Sequence, residues 1–256
     1  MFTNFREAVS YLLHEQEVTG RYSGYCEKVD SLHDLMLREV RDSGMPCLSE
    51  AAQICNSISW DAHEYIEDER VGPEWLHPLE ETESDAEYCR VVIDKAYLEA
   101  DGFMDAWWDI YKLVGGLESV KESIGRGEFE SKSRLRIKSK SKSRVGVKEA
   151  EGRKISGVRI CKDFLETLGA VKEDVDCAYR HIVERGGSLL SELSDVTRRE
   201  LFKGPRGEAK RVLDGIMSNI KKAERHMSNV KANFDELNKT LSRMENSLNT
   251  AIRKNR

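Results

Sequence analysis

Hydrophobic residues in the C-terminal part of the chain return every three or four positions without an interruption. The series starts at Leu213, ends at Ala251 and alternates steps of three and four over more than five heptads. This spacing predicts one long helix with a single apolar stripe, as in a coiled coil. The predicted coiled-coil interface consists of Ile220, Met227, Val230, Phe234, Leu237, Leu241, Met244 and Leu248.

The positions that flank this stripe are mostly uncharged, so no pattern of opposite charges specifies a separate partner helix. Two pairings therefore stay open. In one, the stripe packs against a preceding helix of the same chain, predicted over residues 158–184. In the other, it joins two copies of the chain in a homo-oligomer.

Apolar residues at helical spacing also predict helices that begin near residues 5, 22 and 49, and a long helix over residues 82–114. Glycines mark the predicted helix ends, at Gly44 before Pro46 and at the pairs 115–116 and 186–187. The pattern therefore predicts an all-α fold of helical bundle modules with a long C-terminal coiled-coil helix.

Residues 125–157 depart from the helical pattern. They contain five glycines, and their main apolar residues fall on odd positions, which is a period of two. This pattern predicts a linker or a β-hairpin. The predicted organisation is an acidic helical domain at 1–124, a basic segment at 125–157 and a helical hairpin or coiled-coil module at 158–256.

Composition agrees with long solvated helices, because 34% of the 256 residues are charged and only four are prolines. The N-terminus lacks the apolar core of a signal peptide, and no run approaches 18 apolar residues. We therefore expect an intracellular protein, cytoplasmic or nuclear.

The six cysteines are spread singly without a C-x-x-C pair, and we predict six buried, reduced thiols.

Charge is divided unevenly along the chain. Residues 1–130 carry 11 bases against 29 acids, whereas residues 131–256 carry 30 bases against 17 acids. The most basic stretch is residues 131–144, named here the basic tract, in which every even position from 132 onward is basic. Its bases are Lys132, Arg134, Arg136, Lys138, Lys140, Lys142 and Arg144.

In an extended chain, these seven bases would share one face about 6.6 Å apart. Like charges inside a Debye length of about 8 Å repel each other, so an ordered tract needs an anionic partner. The alternatives are a solvated linker, a nucleic acid, an anionic membrane surface, or the acidic half of this protein.

The sequence contains a candidate acceptor for the tract. Residues 61–87 hold 11 acids and a single base, Arg70. The predicted acidic acceptor face consists of Asp61, Glu64, Glu67, Asp68, Glu80, Glu81 and Glu83.

A nucleic acid bound by all seven bases would give a log-affinity salt slope of about −6 on duplex DNA. The tract has no aromatic residue for base stacking, so such binding would be nonspecific in sequence. An anionic membrane surface would attract each nearby base by about 1 kcal/mol. Membrane binding is less favoured, because Leu135 and Ile137 are too few for deep insertion.

Candidate chemistry is sparse. His63 and Glu67 share a helix face, but the second histidine of a zinc helix is missing. Glu74 and His77 have the spacing of carboxylate-bridged metal bundles, yet they lie between two prolines. No nucleophile-elbow, dinucleotide or phosphate-loop motif occurs. We expect no metal, no cofactor, no small-molecule substrate and no enzymatic activity.

The expected function is a scaffold or assembly protein. It would act through coiled-coil packing and through acidic-to-basic association with itself or with a protein partner. The alternative is a sequence-nonspecific nucleic-acid-binding protein that uses the basic tract.

Overall fold

Four long helical rods form the protein in a computed structural model, which describes residues 22–119, 156–205 and 207–255. Rod 1 comprises α1 (Ser23–Met36), the π-helical segment π1 (Leu37–Gly44) and α2 (Met45–Glu67). After a 3₁₀ turn at Pro73–Trp75, rod 2 is the single helix α3 (Leu76–Ser119). Rod 3 comprises α4 (Gly157–Tyr179), π2 (Arg180–Gly186) and α5 (Gly187–Phe202), and rod 4 is α6 (Gly207–Lys254).

The described residues form helices and no strand, which confirms the predicted all-α class. The first predicted helix and the predicted hairpin or linker lie outside the described residues. No helix within the described ranges has the length and apolar character needed to cross a membrane.

Rods 2 and 3 each run antiparallel to rod 1, and rod 4 runs antiparallel to rod 2. Rods 1 and 2 meet at His33–Trp107 and at His63–Glu83. Rods 1 and 3 meet at Tyr25–Thr197 and at Tyr65–Phe164. Rods 2 and 4 meet at Glu99–His226 and at Asp85–Arg243. Rods 2 and 3 therefore run in the same direction. This is the connectivity of a four-helix bundle with one long crossover.

The crossover joins opposite ends of the bundle. Ser119 ends rod 2 at one end, whereas Gly157 begins rod 3 beside Trp75 at the other end. Rod 2 has 44 residues, so these ends lie about 65 Å apart at 1.5 Å per residue.

One hydrophobic cluster takes buried side chains from all four rods. The helices of both predicted helical regions thus share a core among the described residues. Each fully buried aliphatic or aromatic side chain contributes roughly 1.5–3 kcal/mol relative to exposure. Large side chains of this core include Leu48, Phe103, Trp107, Leu168 and Phe234.

The predicted helix ends at Gly44 and at the pair 186–187 are wrong. Rod 1 continues through Gly44 into α2, and rod 3 continues through Gly186 into α5. The glycines serve close packing instead. A Cβ at Gly44 would clash with Ile182, and a Cβ at Gly186 would come within 2.9 Å of Val40. The pair at 115–116 likewise lies inside α3.

Pro46 explains why rod 1 changes its hydrogen-bond pattern here. Proline has no N–H, so a regular α-helix would lose a bond at this position. π1 ends at Gly44 and α2 begins at Met45, with Pro46 in its first turn. A first-turn position needs no intrahelical N–H, so the π-helical segment lets the rod pass the proline without a break.

Candidate interaction site

The predicted acidic residues come together at one end of the bundle, where α2 ends and α3 begins. His63 links the two helices, because its Nδ1 lies 3.1 Å from Glu83 of α3 and its Nε2 lies 3.5 Å from Glu67 of α2. We name this region the acidic end, and it comprises Asp61, Glu64, Glu67, Asp68, Glu80, Glu81 and Glu83. The hairpin between rods 1 and 2 therefore assembles an acidic surface from two stretches of sequence.

Asp68 and Arg70 form a pair within the turn that follows α2. The Arg70 side chain donates through Nε and Nη2 to the two carboxylate oxygens, at 2.9 and 2.6 Å, and its backbone N–H donates to Oδ1 at 2.9 Å. These hydrogen bonds lower the pKa of Asp68 to about 2. Arg70, the single base of residues 61–87, is thus already engaged by Asp68.

Several other acids have neutral or histidine partners. Glu64 accepts a hydrogen bond from the indole N–H of Trp60 at 3.1 Å, and Glu81 accepts one from Ser247. Asp61 is different, since burial raises its pKa and the neighbouring Glu64 raises it further. No lysine or arginine among the described residues pairs with Asp61.

On the side facing rod 4, the acidic end borders a groove of about 1070 Å³ between the start of α3 and the end of α6. Lys239, Arg243 and Lys254 line this groove together with Glu81. Arg243 donates from both Nε and Nη2 to Asp85. On the side facing rod 4, Asp85 therefore meets a base of the bundle, whereas no lysine or arginine of the described residues pairs with Asp61, Glu64 or Glu67 of α2.

Rod 3 begins at this same end. The backbone of Gly157 lies against the indole ring of Trp75, so closely that a Cβ would overlap the ring. Trp75 is itself buried. The chain thus re-enters the bundle beside the acidic end after the crossover. The basic tract lies outside the described residues.

The predicted coiled-coil interface faces the core of this same chain. Seven of its eight residues are buried and Met227 is partly buried. The principal neighbour of α6 is α3, with further packing on α4 and α5. For example, Phe234 meets Tyr179 of α4 edge to face with ring centroids 5.5 Å apart. The stripe is therefore enclosed within the bundle.

The prediction of six reduced thiols is wrong for two cysteines. Cys47 and Cys177 form a disulfide with a Cα–Cα distance of 6.2 Å, while the other four cysteines are buried thiols. The two paired residues are 130 positions apart, and no motif relates them in the sequence. Only the packing of rod 1 on rod 3 brings them together.

Two polar contacts were missed by the sequence reasoning. His33 is buried between rods 1 and 2, where its Nδ1 accepts a hydrogen bond from the indole N–H of Trp107 at 3.0 Å. Its ring stacks on Tyr111 with centroids 3.8 Å apart. The helical spacing from Val29 through His33 to Met36 was the available signal, since it puts the histidine on the apolar stripe.

The second missed contact joins the two π-helical segments. Glu39 of π1 lies 2.8 Å from Nδ1 of His181 in π2, and both side chains are about one-third exposed or less. Nothing in the sequence related these two residues before the fold was known.

The described residues contain no group of three or more His, Cys, Asp and Glu side chains that could hold a metal ion. The two ring nitrogens of His63 face Glu67 and Glu83, so this side chain bridges α2 and α3. Comparison with protein-family models, with curated proteins and with solved structures finds no match for this chain.

Proposed function

We propose that the protein is a non-enzymatic assembly protein whose acidic end receives the basic tract of a neighbouring copy. The observation that carries this proposal is the placement of Gly157 on Trp75, at the end of the bundle where the acids gather. Charge complementarity supplies the attraction, and chain connectivity keeps a supply of basic side chains near every acidic end.

Chain length sets how near the tract is held. Thirteen residue steps separate Arg144 from Gly157, so their Cα atoms are at most about 45 Å apart. The acidic end belongs to the same end of the bundle as Gly157. The C-terminal end of the tract in each copy is therefore tethered to the end of its bundle that carries the acids.

The apolar stripe of α6 is enclosed within the bundle, which leaves surface charge as the basis for association between copies. Because its apolar residues are already buried in the chain's own core, they offer no open seam to a second copy. Exposed ion pairs contribute only about 0.2–1 kcal/mol each, so several must form together. Such association weakens with salt, since the Debye length falls from about 10 Å at 0.1 M to about 3 Å at 1 M.

Cross-linking by a zero-length carbodiimide tests the contact in the full-length protein, because it joins only amines and carboxylates that touch. We expect the lysines of the tract to cross-link to carboxylates within Asp61–Glu87 at 50 mM salt, and much less at 500 mM. Mixing ¹⁴N- and ¹⁵N-labelled protein identifies the copies involved, since cross-links between copies combine both isotopes.

Light scattering on the same samples gives the mass. We expect a mass above the 29.3 kDa of one chain at low salt and a decrease towards it at high salt. A matched pair of triple variants separates specific from general charge effects. Glu64→Gln/Glu80→Gln/Glu81→Gln should lower the yield of cross-links, whereas Asp101→Asn/Asp105→Asn/Asp195→Asn, at exposed acids elsewhere, should leave the yield unchanged.

Three results would overturn the proposal. Tract lysines that cross-link mainly to other carboxylates, or not at all, would exclude the acidic end as acceptor. If every cross-link contained a single isotope and light scattering gave the mass of one chain at both salt concentrations, assembly would be excluded. The contact would then lie within one copy.

A further inference from the structure

The Cys47–Cys177 disulfide lies directly beside the two π-helical segments. Cys47 follows the last residue of π1 by three positions, and Cys177 precedes the first residue of π2 by three positions. π1 and π2 pack against each other, and the disulfide fastens rod 1 to rod 3 next to that contact. It is the one covalent link between rods 1 and 3 within the described residues.

The surroundings of the disulfide combine close packing with polar chemistry. Gly44 lets rod 1 approach Ile182, and Gly186 lets rod 3 approach Val40. Next to them, Glu39 and His181 form a half-buried hydrogen-bonded contact at 2.8 Å. π-helical segments inside α-helices are rare and are often found at functional sites. Here two of them face each other around one polar pair.

Accessibility distinguishes these cysteines from the others. Cys47 and Cys177 are half-buried, whereas the four thiol cysteines, Cys26, Cys55, Cys89 and Cys161, are buried. Thiol–disulfide exchange requires a thiolate to reach a sulfur atom of the disulfide. A reagent in solution therefore has access to the one disulfide and little access to the thiols.

We propose that Cys47 and Cys177 form a reversible redox clasp that controls the pairing of π1 with π2. A thiolate of a small dithiol attacks one sulfur, which gives a mixed disulfide and releases the other cysteine as a thiolate that takes up a proton. The second thiolate of the dithiol then displaces the remaining cysteine, and the dithiol leaves as a cyclic disulfide. Two electrons pass to the protein, and a small disulfide as oxidant reverses the reaction.

Reduction removes the covalent link at a place where both rods already depart from regular α-helical bonding. Val40 and Ile182 are buried in the shared core, so the two segments stay packed on average, but without the covalent constraint their irregular backbone bonds can open locally. The reduced clasp therefore lets residues 37–44 and 180–186 open more often, while the hydrophobic core elsewhere holds the bundle together.

Thiol counting tests the clasp in the full-length protein purified without reductant. After denaturation, N-ethylmaleimide should label four cysteines in the oxidised protein and all six after treatment with dithiothreitol. Brief labelling of the reduced, folded protein should modify only Cys47 and Cys177. Cyclic oxidised dithiothreitol should restore the count of four.

Hydrogen exchange tests the consequence. We expect exchange in residues 37–44 and 180–186 to become about tenfold faster or more on reduction, because the disulfide restricts local opening on both sides of it. Cys47→Ser should show the fast exchange with or without dithiothreitol. Cys161→Ser, which changes a buried thiol, should keep the dependence on dithiothreitol.

Six labelled cysteines in the protein purified without reductant would overturn the proposal. An unchanged exchange rate in both π-helical segments after full reduction would do the same. If Cys47→Ser does not fold, the comparison of oxidised with reduced wild-type protein still decides the matter.

Discussion

His33 shows how one polar side chain is accommodated in the apolar contact between rods 1 and 2. Burial lowers its pKa, although Asp30 and Asp34 on the same helix act in the opposite direction. Its Nδ1 accepts the hydrogen bond of Trp107, and a protonated imidazole has no acceptor nitrogen. Protonation would therefore break this bond and leave a buried indole N–H without a partner.

This arrangement predicts a pH dependence of stability. Because the folded pKa of His33 lies below its ordinary value of 6.5, the unfolded chain binds the proton more readily. The contribution of neutral His33 to the free energy of unfolding is complete above pH 6.5. It is lost as the pH falls through the lower pKa that His33 has in the folded protein. Urea unfolding at pH 7.5 and 5.5, followed by circular dichroism, should show a smaller difference in His33→Gln than in the wild type.

Glutamine suits this experiment because its amide oxygen can still accept from Trp107 but does not titrate. The control is His77→Gln, at a side chain that is 79% exposed, and it should keep the wild-type pH difference. An equal pH difference in wild type and His33→Gln would contradict the prediction.

At the scale of single elements, glycine has two different roles in these rods. Gly44 and Gly186 lie where another rod approaches, and an added Cβ would meet Ile182 or Val40. Gly169 lies in the middle of α4 with nothing within 4 Å of an added Cβ. The same substitution should therefore have opposite effects at the two kinds of position.

Gly44→Ala should lower the free energy of unfolding by about 1–3 kcal/mol, because overpacking forces the rods apart. Gly169→Ala should raise it by roughly 0.5–1 kcal/mol, because alanine restricts the unfolded chain and favours the helix. Urea denaturation followed by circular dichroism measures both. Destabilisation of equal size at both positions would show that contact with the neighbouring rod is not the cause.

At the scale of the whole molecule, the enclosed stripe of α6 makes rod 4 a common support for rods 2 and 3. Phe234 is fully buried and contacts α4, while α3 is the principal neighbour of α6 as a whole. The four tryptophans, in contrast, lie in rods 1 and 2 and in the turn between them: Trp60, Trp75, Trp107 and Trp108. Their fluorescence therefore reports mainly on rods 1 and 2, and Trp75 also senses the start of rod 3 at Gly157.

Phe234→Ala should destabilise the protein by about 3–5 kcal/mol through the lost burial and the remaining cavity. If the four rods unfold as one unit, the unfolding transitions measured by tryptophan fluorescence and by circular dichroism should shift by the same amount. Leu98→Ala, at a side chain that is 69% exposed, should change stability by less than about 0.5 kcal/mol. A fluorescence transition that stays at its wild-type position in Phe234→Ala would mean that two units unfold separately.

The sequence by itself determined that this chain forms helices and which face of each helix is apolar. The stripe from Leu213 to Ala251 predicted both the extent of α6 and the side chains that it buries, because a 3.6-residue period needs no tertiary information. The acids of Asp61–Glu87 were also visible, although their gathering from α2 and α3 depended on the hairpin between rods 1 and 2.

Only the tertiary structure decided what the glycines and cysteines do. Gly44 was indistinguishable from a helix terminator in sequence, since both roles need a residue without a Cβ, and only the approach of Ile182 gives the reason. Cys47 and Cys177 are 130 residues apart, and their pairing follows from the direction of rod 3 along rod 1. Local periodicity fixes helices, but long-range contacts are fixed by packing, which no local pattern encodes.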